Sequence, residues 1–285
     1  MTELLNRFRA AVATAYRVRT GDPELVPMAL SQACVEVLPV AGAGISLTDE
    51  LRVPLGASDA MAARAERLQT TLGEGPCLSA ADAAEPLVAD EESIAARWPL
   101  FHRELVSQTP YRSVVSVPLL ARDGFTGLGA LDLYLAEPVA APDLFLSQVG
   151  SAIAAPISSV LFDYDGIHAN PNALPPWLNS ASVTERMHVW IAVGILMEHA
   201  GVGNDDALAA LRAHAIAKNE SIDETASRLM SHELGAGRVI NRSQFRAESV
   251  QSEQLADAPW LGDQWADLEA VTAGVDREAS GGQAG

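Results

Sequence analysis

The chain has 285 residues, 48% hydrophobic and 20% charged, with 19 Lys and Arg against 37 Asp and Glu for a net charge of −18. That length and balance suit one or two soluble globular domains, and no apolar run approaches the roughly 18 residues of a membrane span. No segment reverses the negative sign, which disfavours indiscriminate nucleic-acid binding, since that is driven by neutralising phosphates.

The first residues space Leu4, Leu5, Phe8, Val12 and Tyr16 as one face of an amphipathic helix rather than a signal peptide. A cytoplasmic protein with no membrane partner is therefore expected. This N-terminal helix, residues 1–21, ends at Gly21-Asp22-Pro23. Asp22 then caps a second helix with Pro23 at its first position, closed near Pro39.

Short β runs follow at 44–48 and 51–55, joined by a polar turn at Asp49-Glu50. Residues 58–72 return to helix with Ser58 as the cap, and 73–78 read as a loop. Leu87-Val88 is a short strand, and 93–105 is helical despite Pro99. Two stronger strands, Ser113–Leu120 and Gly127–Leu135, make a hairpin through Arg122-Asp123-Gly124. Pro142-Asp143 opens a long helix to about Phe162, interrupted or kinked near Pro156. Antiparallel strands with helices grouped around them predict an α+β domain over 22–163.

Several groups in this region carry a family resemblance: Gly73-Glu-Gly-Pro-Cys-Leu, Pro86-Leu-Val-Ala-Asp, Trp98-Pro, Ser113-Val-Val-Ser-Val-Pro-Leu and Gly127-Leu-Gly-Ala-Leu-Asp-Leu-Tyr. In order and spacing they resemble a GAF domain, of the form found ahead of ANTAR domains in actinobacterial regulators. The resemblance implies an antiparallel sheet with flanking helices, and a ligand-sensing or dimerising role with a pocket on one face. Trp98, Phe101, Tyr111, Ser113, Ser116 and Tyr134 could line such a pocket, offering a few polar groups among apolar walls. The alternative is that they only pack the sheet. Cys77 resembles a position common in this group of domains.

Residues 164–181 read as a linker, stiffened in part by Pro175-Pro176. Residues 182–235 then predict three short helices. Ser182-x-x-Glu185 is a capping box and Gly201 a stop; Asn204, Asp205 and Asp206 open the second helix, and Asn219 ends it. Ser221-x-x-Glu224 is another capping box, and Gly235 ends the third helix.

The sequence from Ala192 to Met197, Ala207-x-x-x-Leu211-Arg212-x-x-Ala215, and Thr225-Ala226 resemble the ANTAR domain, an all-α three-helix module. That resemblance implies a dimer that binds paired RNA hairpins and controls transcription antitermination, here under the sensor domain. Arg186, Trp190, Arg212, Lys218 and Arg228 are the candidate RNA-binding residues. Val193 stands where these domains commonly carry a basic residue. At helical spacing Arg186, Trp190, Val193 and Met197 fall within about 60° of one face, a stripe that could stack on a base or bury against another helix. The competing expectation is a protein-interaction regulator whose module has lost RNA binding.

The remaining residues, 236–285, read as an acidic, largely disordered tail. Within it Trp260, Leu261, Trp265, Leu268 and Val271 recur at helical spacing, a possible docking segment for a protein partner. No catalytic motif is present: no G-x-S-x-G, P-loop, H-E-x-x-H or dinucleotide fingerprint. The six histidines are scattered, and Cys34 and Cys77 have neither metal nor redox spacing. The chain is expected to be no enzyme and to hold no metal or cofactor.

Overall fold

A computed structural model describes residues 2–18, 22–48, 52–137, 144–162 and 175–240, with backbone alone at 144–149, 151 and 182. The elements in order are α1 (Thr2–Val18), α2 (Val26–Val37), β1 (Gly42–Leu47), β2 (Val53–Ala57), α3 (Ala60–Leu72), α4 (Pro76–Ala83), β3 (Leu87–Ala89), α5 (Glu91–Arg97) and α6 (Pro99–Gln108). Then come β4 (Ser113–Leu120), β5 (Gly127–Leu135), α7 (Leu144–Phe162), α8 (Ala181–Ala200), α9 (Asn204–Lys218), α10 (Ile222–Met230) and α11 (Ala236–Val239). The five strands form one antiparallel sheet in the order β2-β1-β5-β4-β3.

Strand side chains alternate between faces, and here both faces are covered. Ala43, Ile45, Val115, Val117, Leu131 and Leu133 pack with Phe8, Leu30, Ile153 and Ile157 of α1, α2 and α7. The opposite face presents Val114 and Tyr134 to Ala62 and Ala65 of α3, Ile94 of α5, and Phe101 and Leu105 of α6. The expected α+β architecture is what forms.

Several boundaries differ from the expectations, each for a local reason. β2 starts at Val53, leaving Arg52 outside the ladder whose last pair is Leu47 with Val53. Asp59, not Ser58, caps α3, accepting from the Met61 and Ala62 N–H groups. The Ser58 hydroxyl instead accepts from the Ala43 N–H. Residues 73–78 are a loop only as far as Gly75. Pro76 then opens α4 at the position where its missing N–H costs nothing, so Cys77 is helical. The helix expected at 93–105 is two helices meeting at Trp98, because Pro99 cannot continue the first. Pro156 sits inside α7, which continues through it.

The three predicted C-terminal helices form around a core of Val189, Ala192, Val193, Leu196, Leu208, Leu211, Ile222 and Leu229. Gly201 and Asn219 end α8 and α9 in the left-handed conformation, and the Ser221–Glu224 capping box is complete. The other starts shift. α8 begins at Ala181 behind Ser180, so Ser182-x-x-Glu185 lies within the helix, and Gly203 rather than Asn204 is the N-cap of α9. α10 ends at Ser231; Gly235 opens α11 instead, and Ile240 returns to the core.

The turn at Asp49-Glu50, the start at Pro142-Asp143, most of the linker, and the tail with Trp260–Val271 lie outside the described residues. Among the described residues no helix is long and apolar enough to cross a membrane.

Candidate functional site

The most concentrated polar chemistry lies on the sheet face covered by α3. Asp132 and Tyr134 of β5 and Ser116 of β4 point there by strand parity, and Glu66 and Gln69, three apart on α3, face them. Gly44 on β1 makes the approach possible: a Cβ there would collide with the Glu66 carboxyl, so only glycine lets that side chain lie against the sheet. Into this cradle reaches Arg52, only 3% exposed.

Arg52 Nη2 donates to Glu66 Oε2 at 2.5 Å and to Asp132 Oδ2 at 3.0 Å. Its Nη1 donates to the Glu66 carbonyl at 2.7 Å and to Thr70 Oγ1 at 3.3 Å. Gln69 Nε2 donates to Asp132 Oδ2 at 2.6 Å and to the Tyr134 hydroxyl at 3.0 Å, and Tyr134 donates to Glu66 Oε1. The Ser116 hydroxyl donates to Asp132 Oδ1, and the Cys77 N–H to Gln69 Oε1.

Two buried acidic side chains share one guanidinium, and the electrostatics register that excess. Burial pushes the Glu66 carboxyl up to about 8, with the Asp132 charge adding to the rise and Arg52 opposing it. Burial disfavours the Arg52 cation, but Cys77, Glu66 and Asp132 outweigh it and hold the group above its usual range. Burial likewise raises the thiols of Cys77 and of Cys34, the latter to about 12, so neither is a thiolate nucleophile near neutral pH. Both cysteines are free. Among the described residues no group of His, Cys, Asp or Glu is arranged to hold a metal.

Of the pocket residues expected from sequence, Ser116 and Tyr134 belong to the cradle and Cys77 touches it through its backbone. Tyr111 stacks on Tyr134 at 4.8 Å between centroids, and Trp98 and Phe101 pack the same face. Strand parity sends Ser113 to the other face, and its hydroxyl donates to the Glu137 carbonyl. Sequence reasoning missed Arg52, Glu66, Gln69 and Asp132. A usable signal was Asp132 itself, an acid inside the apolar run Gly127–Leu135, where a buried charge demands partners.

A second site lies where the three-helix module meets α3. The Ile222 N–H donates to Thr71 Oγ1 at 3.3 Å. Gly73 ends α3 at φ 70, and a Cβ there would stand 2.5 Å from Arg212 Cζ, so the guanidinium rests against the C-terminus of α3. A cation there complements the helix dipole. A cleft of about 760 Å³ opens along this seam, lined by charges of both signs including Arg64, Arg67, Glu185, Glu224 and Arg228.

The candidate RNA-binding residues occupy this seam and its neighbourhood. Arg186, 3% exposed, donates through Nη2 to Asp223 Oδ2 at 2.9 Å, while its Nε and Nη1 have no partner among the described residues. Burial lowers the Arg186 pKa and raises that of Asp223, each countered by the other's charge. Arg228 pairs with Glu220, and Lys218 is exposed. Trp190 is half-buried against the module's core, beside Val193.

No family model matches the chain, and no curated protein matches it. Among solved structures, the GAF domain of a phosphoenolpyruvate-protein phosphotransferase from Acinetobacter is 14% identical, with 61% of this chain and 99% of that one covered and a TM-score of 0.42. A domain of a two-component sensor histidine kinase protein from Sinorhizobium meliloti is 18% identical over 50% of this chain and 91% of that one, with a TM-score of 0.39. A free methionine-R-sulfoxide reductase from Neisseria meningitidis is 16% identical over 53% and 86%, with a TM-score of 0.37. Likenesses this distant say nothing of this chain's ligand or activity.

Proposed function

We propose that the chain is a signal-responsive, non-enzymatic regulator in which the α+β domain, a GAF-like sensor, controls an ANTAR-like three-helix module that binds hairpin RNA. One observation carries the reading: α3 serves both sites. Glu66 and Gln69 on its inner face build the cradle, while Thr71 and Gly73 at its C-terminus touch Ile222 and Arg212 of the module. A change in the cradle therefore bears on the helix against which the module docks. A ligand favouring one arrangement shifts the population of the other by its difference in affinity. In the docked arrangement Arg186 and Arg212 are turned to the seam, so RNA binding requires the seam to open. An apolar groove of about 680 Å³ between α1, α2 and α7, lined by Phe8, Val12, Tyr16 and Val160, supports a homodimer through these helices.

The test is binding of tandem-hairpin RNA by the full chain and by T71W, in which a bulky ring replaces the seam hydroxyl. T71W is expected to bind at least tenfold more tightly than the native chain.

A second reading is a protein-interaction regulator whose module no longer binds RNA. It is favoured by Val193, buried where a basic residue is common, and by Met187, Ile191 and Ile195, exposed at four-residue spacing along α8. Absence of RNA binding by both the native chain and T71W favours this reading.

A further inference from the structure

The cradle binds a guanidinium already, and the chain itself supplies it. The acceptors around that group come from α3 and β5, elements held by helix hydrogen bonds or by the sheet ladder. Arg52 comes from elsewhere. It precedes the first paired residue of β2, an edge strand, so no ladder hydrogen bond fixes its backbone. Withdrawing it would leave the sheet intact.

The fit of Arg52 is also incomplete. Its Nε is buried and has no hydrogen-bond partner among the described residues. On the same face, Ser46 of β1 is fully buried and its hydroxyl is likewise without a partner among the described residues. Ser46 lies opposite Ala130, two residues along from the Gly44–Asp132 pair, so strand parity turns it toward the cradle side. A donor in the cradle and a hydroxyl on the same sheet face thus lack partners among the described residues. Buried polar groups are ordinarily satisfied, and each exception calls for an explanation, a bound group among them.

We infer that the cradle of Glu66, Gln69, Ser116, Asp132 and Tyr134 is a binding site for a small guanidinium-bearing ligand, with Arg52 as a built-in plug that the ligand displaces. The chemistry selects this class. The acceptors are spread over two nitrogens, Glu66 Oε2 and Asp132 Oδ2 on Nη2, the Glu66 carbonyl and Thr70 Oγ1 on Nη1, a span that a guanidinium covers and a compact ammonium does not. A free monosubstituted guanidinium brings five N–H donors with no tether to the β2 edge, so it can turn to use the hydroxyl that Arg52 leaves over. The plug lowers apparent affinity by the fraction of time it is absent: a plug in place about 99% of the time weakens binding roughly a hundredfold.

Displacement also has a direction. β2 packs against α8, and the Arg52 charge already opposes that of Arg186. Once expelled from its carboxylates, Arg52 adds an unneutralised positive charge next to the seam that Arg186 and Arg212 occupy. This consequence rests on the sensor reading above, whereas ligand binding does not.

The test uses the full chain, native, R52A and R52K, titrated calorimetrically with methylguanidinium, with methylammonium and urea as shape and charge controls. Both variants are expected to bind methylguanidinium saturably and at least tenfold more tightly than the native chain. The controls should be silent, and adding D132N to R52K should abolish binding. Absence of saturable binding in the folded variants, or equal binding of the controls, overturns the assignment. Failure of both variants to fold overturns it equally, because a displaceable plug cannot be required for the fold. Hydrogen exchange at the Ile222 amide reads the coupling separately. Faster exchange with ligand bound supports the link to the seam, and unchanged exchange with binding retained sinks that link while the cradle assignment stands.

Discussion

Burial holds the Glu66 carboxyl near 8, against an ordinary value of 4.5, with Arg52 opposing the rise and the Asp132 charge adding to it. The folded chain therefore keeps a proton that the unfolded chain releases. The stability this contributes is complete below about pH 4.5 and is lost as pH rises through the folded value near 8, at up to about 1.4 kcal/mol per pH unit. Urea unfolding of the native chain should give lower stability at about pH 8 than at about pH 5. E66Q, whose amide does not titrate, should flatten that slope. A native chain equally stable at both would contradict the Glu66 assignment. The same residues explain why the cradle was only partly legible in sequence. Ser116 and Tyr134 stood out as polar groups on apolar strands, whereas Glu66 and Gln69 sit in an Ala-rich helix whose outward and inward polar positions look alike until α3 is laid on the sheet.

At the scale of elements, α10 depends on its cap. It has nine residues, too few to persist in isolation. The Ser221 hydroxyl accepts from the Glu224 N–H at 3.1 Å, and the Glu224 carboxylate accepts from the Ser221 N–H at 2.7 Å. S221A should cost about 1 kcal/mol in chemical denaturation. Because Ile222 is the next residue and bonds Thr71, the loss should also speed exchange at the Ile222 amide; a silent S221A would show that α10 is held by packing alone. The contrast with Ser182-x-x-Glu185 is instructive. The pattern is the same, but α8 starts earlier, at Ala181, because the turn Pro176–Asn179 delivers the chain to Ser180 already aligned. A capping pattern states a capability, and the preceding segment decides whether it is used.

At the scale of the molecule, Trp177 joins the two parts. It precedes α8 by only a few residues, yet its ring is buried in the core on the α1–α2–α7 side of the sheet. W177A should cost roughly 3–5 kcal/mol, the range for emptying a large aromatic site, and should accelerate exchange across the Thr71–Ile222 contact. Denaturation paired with hydrogen exchange checks both, and a loss of stability with no change at the seam would separate the anchor from the docking. By itself the sequence determined what depends on near neighbours: the hairpin of β4 and β5, the three helices and most of their stops, and the α+β class, because periodicity and capping act over a few residues. Only the tertiary structure decided that Arg52 fills the cradle, that Arg186 pairs with Asp223 37 positions away, and that Arg212 meets Gly73. Each of these depends on desolvating a charge against a partner distant in sequence, and that partner is set by how sheet and helices pack.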